Sequence, residues 1–456
     1  MFDEVDVFHR GVALQGRKDY DLAIEAFSEV IKINPKYIEA YYARGNCYEA
    51  KGQHDVAINN YNRVLEFAPR EAAAYYNRGC AYIKLDNTTK AMGDFDKAIE
   101  LDPEYAKAYY NRGFLAFRQG KFQEAVADYT EAINKAPDDA DAYVSRGLAH
   151  AVHGNPDQAV ADYDLAIEID PQHVKAHGNR GNAYEQMGDL ETAIEEYTEV
   201  LRLQPDDAKA YANRALCHFK TDRIDRAITD YSNSIRCNPK NGKVHCSRGI
   251  AYSRRRQTDK ALADFDEAIR LEPKNVEAHI CRGTARSALG DREGALEDHT
   301  MATRIDPYCV KAWYNRGIVN GLLGNLDAAI DDYTQAIQLD PEHAYAYCHR
   351  GVIQTKKGNL GDATRDFDEA IRLDPEYVSA YYNRGLVHRI QGNLPESVHD
   401  FSRTIELQPG YAKAYQNRAA AYESLGEKAR AKADLSRAKQ LDEKATAKRE
   451  AATAAR

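Results

Sequence analysis

The segment AAAYYNRGCAYIKLDNTTKAMGDFDKAIELDPEY, residues 72–105, decides the fold. Its apolar residues recur at helical spacing, as Ala91, Phe95, Ala98, Ile99 and Leu101 do. Pro103 ends the second helical stretch, because its ring fixes φ and removes a backbone N–H. That proline recurs. Twelve of the 14 prolines stand at 35, 69, 103, 137, 171, 205, 239, 273, 307, 341, 375 and 409, each 34 residues after the last. Only Pro156 and Pro395 leave this register. A fixed period of that length marks a stacked repeat.

With each proline at repeat position 32, the first repeat is 4–37 and the thirteenth 412–445. The expected domain plan is a lead at 1–3, thirteen tandem repeats at 4–445, and a helical extension or tail at 446–456. No insertion interrupts the array, so these 456 residues leave no room for a separate catalytic domain. Fixed positions explain how a repeat packs. Position 8 is Gly in eleven repeats and Ala in two, and position 20 is Ala in all but one, which has Ser397. Small residues there let two helices approach closely. Large rings at position 4 (Tyr41, Tyr75, Trp313, Tyr415) and position 24 (Phe27, Tyr61, Phe95, Tyr129) fill the space between neighbouring hairpins. Gly at position 15 in nine repeats, such as Gly52 and Gly120, supplies the left-handed residue that ends a first helix.

The aromatic, Gly/Ala, aromatic, Ala, aromatic, Ala and Pro pattern at positions 4, 8, 11, 20, 24, 27 and 32 resembles the tetratricopeptide repeat family over residues 4–445. Position 11 matches least well, reading Ala116, Arg286, Asn320 and Gln354 in some repeats. The resemblance implies an all-α, right-handed superhelical solenoid of thirteen helix-turn-helix repeats. It also implies a concave groove, lined by the first helices, that binds partner proteins or peptides.

Position 7 departs from the family pattern, being Arg in all thirteen repeats from Arg10 to Arg418. Position 23 is Asp in ten repeats and Glu196 in another. A buried charge needs a partner, so this pairing reads as an internal ladder rather than an anion-binding stripe. Ala26 and Asn60 break the acid row, which would leave Arg10 and Arg44 the freest. Spacing alone does not say whether each Arg pairs within its repeat or with a neighbour.

Candidate peptide-binding residues come from positions 5 and 6. Asn occupies position 6 at Asn77, Asn111, Asn179, Asn213, Asn315, Asn383 and Asn417. An amide donates and accepts, so a row of them can bond an extended peptide backbone without reading its side chains. The row resembles the asparagine ladder in the repeat domain of O-linked N-acetylglucosamine transferase, although no transferase domain follows. Bonding to local backbone or solvent is the competing use. Tyr42, Tyr76 and Tyr110 at position 5 read either as binding anchors or as packing between repeats. Lys175, Lys209, Lys243 and Arg254 are candidate contacts for an acidic partner, though such residues equally form a solvated face. No repeat has Lys at position 5 or Arg at position 6, so a clamp for chaperone C-termini is disfavoured.

Composition narrows the classes. With 62 Lys+Arg against 71 Asp+Glu, the net charge is −9, which disfavours a nucleic-acid partner. No apolar run approaches the roughly 18 residues of a membrane span. The acidic N-terminus lacks the features of a signal peptide. Eight scattered Cys show no C-x-x-C pair or zinc spacing and suit a reducing compartment, so cytoplasmic localisation is expected. No nucleotide, zinc-protease or nucleophile-elbow motif occurs, and no cofactor or metal is expected. His150 and His153 lack further metal ligands.

The favoured function is a non-enzymatic protein-interaction scaffold. Two alternatives stay open: a nucleic-acid-binding solenoid using the basic segment 240–260, and a regulatory subunit that recruits substrate to a separate enzyme. Val5, Val7 and Phe8 begin the array without a preceding cap, so self-association through the first repeat is also expected.

Overall fold

The computed structural model describes residues 3–454, and all regular structure among them is α-helical. Residues 1–2 of the expected lead and 455–456 of the expected C-terminal segment lie outside the described residues. The chain divides into two units, residues 1–237 and 238–456.

The first unit opens with α1 (Glu4–Gly16), α2 (Tyr20–Ile33), α3 (Ile38–Ala50) and α4 (His54–Phe67). It continues through α5 (Ala72–Lys84), α6 (Thr88–Leu101), α7 (Ala106–Arg118), α8 (Phe122–Lys135) and α9 (Ala140–Val152). It ends with α10 (Pro156–Ile169), α11 (Val174–Met187), α12 (Leu190–Leu203), α13 (Ala208–Lys220) and α14 (Ile224–Cys237). The second unit contains α15 (Gly242–Arg254), α16 (Thr258–Leu271), α17 (Val276–Ala288) and α18 (Arg292–Ile305). It adds α19 (Val310–Leu323), α20 (Leu326–Leu339), α21 (Ala344–Lys357) and α22 (Leu360–Leu373). Its last helices are α23 (Val378–Gln391), α24 (Leu394–Leu407), α25 (Ala412–Ser424) and α26 (Lys428–Ala454). Odd and even helices pair off, one hairpin per repeat.

The tight turn inside each hairpin needs a left-handed residue at position 15. Nine glycines supply it, for example Gly52 at φ 74° and Gly392 at φ 80°. Lys18, Asp86, Asp222 and Arg256 adopt the same conformation at φ 64°, 54°, 58° and 57°. The backbone demand holds in all thirteen repeats, whatever the side chain.

Each hairpin closes on a ring. A Cβ on Gly79 would lie 2.7 Å from Phe95, and one on Gly249 2.6 Å from Phe265, so position 8 must stay small beneath the position 24 ring. The position 20 alanines, Ala23, Ala57 and Ala91 among them, are fully buried. Ser397 occupies the same place, its hydroxyl donating to the Gly385 carbonyl at 2.9 Å. Within a unit, first helices of successive repeats also touch, as α3 does α5 and α15 does α17. That contact brings positions 5 and 6 of neighbouring repeats together. On α1, Phe8 is half-buried against Phe27 and Tyr37, while Val5 and Val12 stand exposed.

Candidate functional site

The arginine row is wired into the fold. Arg78 donates to both carboxylate oxygens of Asp94, at 2.8 and 2.6 Å, and to Asn62 of the preceding repeat at 2.7 Å. Arg112 does the same with Asp128 and Asp96, and Arg384 with Asp400 and Asp368. From the second repeat on, the guanidinium binds position 23 of its own repeat, and Arg78, Arg112 and Arg384 also reach back to the previous one. Such bidentate pairs fix geometry as well as charge. Position 4 completes the nest, with Arg78 5.4 Å from the Tyr75 ring centre and Arg316 4.5 Å from that of Trp313. Arg10 and Arg44 are not free. Arg44 bonds Asn60 at 2.8 Å and Ser28 at 3.0 Å, and Arg10 pairs with Glu29 at 2.8 Å. Asn60 accepts where an aspartate would, so the acid is replaced without breaking the ladder.

Position 11 joins this network where its ring is missing. Arg286 donates to Asp298 at 2.9 Å and Asn320 to Asp332 at 2.8 Å. His150, His218 and His388 sit 3.9 Å from the corresponding aspartates. These residues form a second wall around the carboxylate rather than a degenerate aromatic position. The effect shows in acidity. Burial pushes the Asp298 carboxyl up, but donation from His279 and Arg282 with the charge of Arg286 holds it below the ordinary value. Asp366 accepts from Arg350, Gln354 being turned to Asn359, and burial outweighs the charges of Arg350 and Arg365 to push its carboxyl up.

The seven asparagines fall on the first helices, half-buried, but their bonds differ. Asn77 gives its amide hydrogens to Tyr42 at 2.7 Å and Asn46 at 3.2 Å. Asn111 donates to Tyr76 at 3.0 Å and toward the Cys80 sulfur at 3.6 Å, and Asn213 to Asn182 at 3.0 Å. Asn417 donates to Tyr382 at 3.0 Å and to the Lys413 carbonyl at 2.8 Å; Asn383 donates to the Ser379 carbonyl at 2.8 Å. Asn179 and Asn315 make no side-chain hydrogen bond among the described residues. Where the amide bonds the previous repeat, its NH2 is held inward and its oxygen remains as an acceptor.

Tyr42, Tyr76 and Tyr110 are half-buried, each ring packed on position 24 of its own repeat and each hydroxyl bonded to position 6 of the next, at Asn77, Asn111 and Ser145. Their ring centres lie 6.0, 5.9 and 5.5 Å from those of Tyr61, Phe95 and Tyr129. Sequence reading missed two acceptors at position 9: Asn46 accepts from Tyr61 at 2.8 Å and from Asn77, and Asn182 from Tyr197 at 2.8 Å and from Asn213. The signal was an amide at position 9, Asn46 and Asn182, one repeat before Asn77 and Asn213. Lys175, Lys209, Lys243 and Arg254 are exposed, the lysines on the first turns of α11, α13 and α15 and Arg254 at the end of α15. Each lysine precedes position 6 of its helix by four residues, one turn away, as Lys175 does Asn179 and Lys209 does Asn213.

In the second unit the ring row is interrupted. Cys246 stands where a tyrosine would cover Phe265, and Phe265 has no ring partner among the described residues. A cavity of about 440 Å3 opens there, lined by Phe265, Ile250, Ile280, Cys281, Lys311 and Asn315. It brings Asn315, which makes no side-chain hydrogen bond among the described residues, beside an apolar floor.

Models of the tetratricopeptide repeat match residues 16–52, 45–86, 72–105, 310–343, 353–389 and 412–444. The model of the cilia and flagella-associated protein 70 C-terminal domain matches residues 105–306. No curated protein matches the chain. Among solved structures, MamA is 29% identical, over 38% of this chain and 94% of its own, with a TM-score of 0.35. YrrB, a TPR protein with an unusual peptide-binding site, is 24% identical, over 41% and 96%, with a TM-score of 0.37. Tom70 from yeast is 19% identical, over 90% and 99%, with a TM-score of 0.39. With its 34-residue period, its paired helices and repeat models matching in both units, the chain belongs to the tetratricopeptide repeat family.

Proposed function

We propose that the chain is a protein-interaction scaffold that holds an extended peptide along its row of first helices. The observation that carries this reading is the asparagine row. Donation to the previous repeat holds the Asn77, Asn111 and Asn213 amides in place, so their oxygens are pre-set to accept backbone N–H groups. Asn179 and Asn315 keep the whole amide for a ligand. Bonds of this kind read backbone, leaving selectivity to what lies beside them. The exposed Lys175, Lys209 and Lys243 favour acidic residues, and the cavity over Phe265 favours one apolar side chain. The packed tyrosines Tyr42, Tyr76 and Tyr110 provide a stiff wall rather than mobile anchors. With a net charge of −9 and the arginine row occupied internally, nucleic acid is the less supported partner. No helix among the described residues is long and apolar enough to cross a membrane.

The test is selection of peptides from a random display library on the full-length chain, followed by fluorescence anisotropy on the selected sequences. Changing Asn179 or Asn315 to Ala disturbs no bond of the fold, so lost affinity reports contact. One hydrogen bond is worth about 0.5–1.5 kcal/mol, or roughly two- to tenfold in affinity. Peptides that bind equally to variants lacking Asn77, Asn179, Asn213 and Asn315 would refute the reading.

A further inference from the structure

Within a unit, position 5 of one repeat meets position 6 of the next at several steps. Tyr42 with Asn77, Tyr76 with Asn111, Tyr110 with Ser145 and Tyr382 with Asn417 stand 2.7, 3.0, 3.0 and 3.0 Å apart. Between α15 and α17 this same pair of positions is Cys246 and Cys281. Both belong to one packed cluster, in which Cys281 lies against the core formed by Cys246 and Phe265. Cys246 is buried, 3% exposed, whereas Cys281 lines the cavity over Phe265 beside Lys311.

We propose that Cys246 and Cys281 form a redox-modifiable dithiol that a hydroperoxide converts to a disulfide. The two sulfurs are unequal. Its neighbours Cys246 and Lys311 hold the Cys281 thiol below its ordinary value, while Cys246 is pushed up. Burial instead lifts Cys47, Cys80, Cys217 and Cys348 each to about 11. Open to the cavity beside Lys311, Cys281 is the attacking thiolate, and the buried Cys246 is the resolving thiol.

In the first step the Cys281 thiolate attacks the terminal oxygen of the hydroperoxide. An S–O bond forms, the O–O bond breaks, and the departing alkoxide takes a proton from water as an alcohol. In the second step Cys246 gives up its proton and attacks the Cys281 sulfur. The S–S bond forms, the S–O bond breaks, and hydroxide leaves with that proton as water. The two sulfurs lose two electrons in all, and the hydroperoxide gains them.

Hydrogen peroxide is the probe. The full-length chain is treated with it, free thiols are alkylated, and the tryptic digest is read by mass spectrometry. We expect peptides 244–248 and 275–282 joined, lighter by two hydrogens, and separated again by dithiothreitol. Cys246→Ser should leave Cys281 as a sulfenic acid trapped by dimedone, and Cys281→Ser should abolish oxidation of Cys246; circular dichroism confirms that both variants fold. Oxidation of Cys80 or Cys309 without the Cys246–Cys281 link in the unaltered chain overturns the proposal. So does a Cys281 that, in Cys246→Ser, dimedone traps no faster than Cys80.

Discussion

Replacing Asp298 with Ala tests the internal ladder where it is densest. The carboxylate is 2% exposed and accepts from Arg282 Nε at 3.0 Å, Arg282 Nη2 at 2.5 Å and Arg286 Nη1 at 2.9 Å. His279 Nδ1 lies 3.4 Å away. Removing one member of a buried pair costs about 3–5 kcal/mol, because the remaining charge stays desolvated. Arg282 retains Asp266 at 2.7 Å, which places the loss at the lower end, about 3 kcal/mol. For a cooperative unit of about 150–250 residues, each kcal/mol moves Tm by about 2–4 °C, so the drop is roughly 6–12 °C. Asp266→Ala is the control. That carboxylate is half-exposed, and an exposed pair contributes only about 0–1 kcal/mol. Thermal melts at 222 nm give the ranking, and amide hydrogen exchange should place the weakening in α17 and α18. If Asp298→Ala costs no more than Asp266→Ala, the arginines do not depend on the buried acid and the ladder is not what holds the repeats.

Three further outcomes follow from single contacts. His299 replaces the position 24 ring, is buried, and its Nδ1 lacks a partner; burial lowers its pKa to about 4. A base held neutral in the fold gives stability that is lost as pH falls from about 6.5 toward 4, where the unfolded chain protonates first, so urea titrations should show His299→Phe flattening that slope. Arg256→Gly should raise stability by about 1 kcal/mol, since only glycine takes its φ of 57° without strain; a lowered melting point would contradict this. Gly79→Ala should cost about 1–3 kcal/mol by pressing on Phe95, which Tyr76 covers, whereas Gly249→Ala should cost less because Phe265 can shift into its cavity; equal losses would count against the cavity's role.

Much of the fold was legible because one backbone problem is solved thirteen times. Pro at position 32, Gly at 15 and the small residue at 8 each answer a local steric demand, so they repeat visibly. The arginine's second partner was hidden because position 25 needs only an oxygen, and Asn62, Asp96, Thr130 and Ser402 all supply one. Position 11 misled for a related reason: a ring, an arginine or an amide can each stand beside the same carboxylate. At the candidate site, the asparagines were visible but their engagement was not. Bonds from Asn77 to Tyr42 and from Asn111 to Tyr76 join residues 35 apart in sequence. They depend on how far one first helix sits from the next, which no local pattern encodes. The Cys246–Cys281 contact was concealed by the same separation, since thiol motifs are sought at short spacing.

The scaffold claim is tested most directly by affinity capture from cell lysate with and without nuclease, read by mass spectrometry. The unaltered full-length chain is compared with a bait carrying Asn77, Asn111, Asn179 and Asn213 changed to Ala, both checked for the same melting behaviour. We expect nuclease-resistant proteins held by the first bait and lost from the second. Equal capture by both, or recovery that nuclease abolishes, would contradict a peptide held along the first helices.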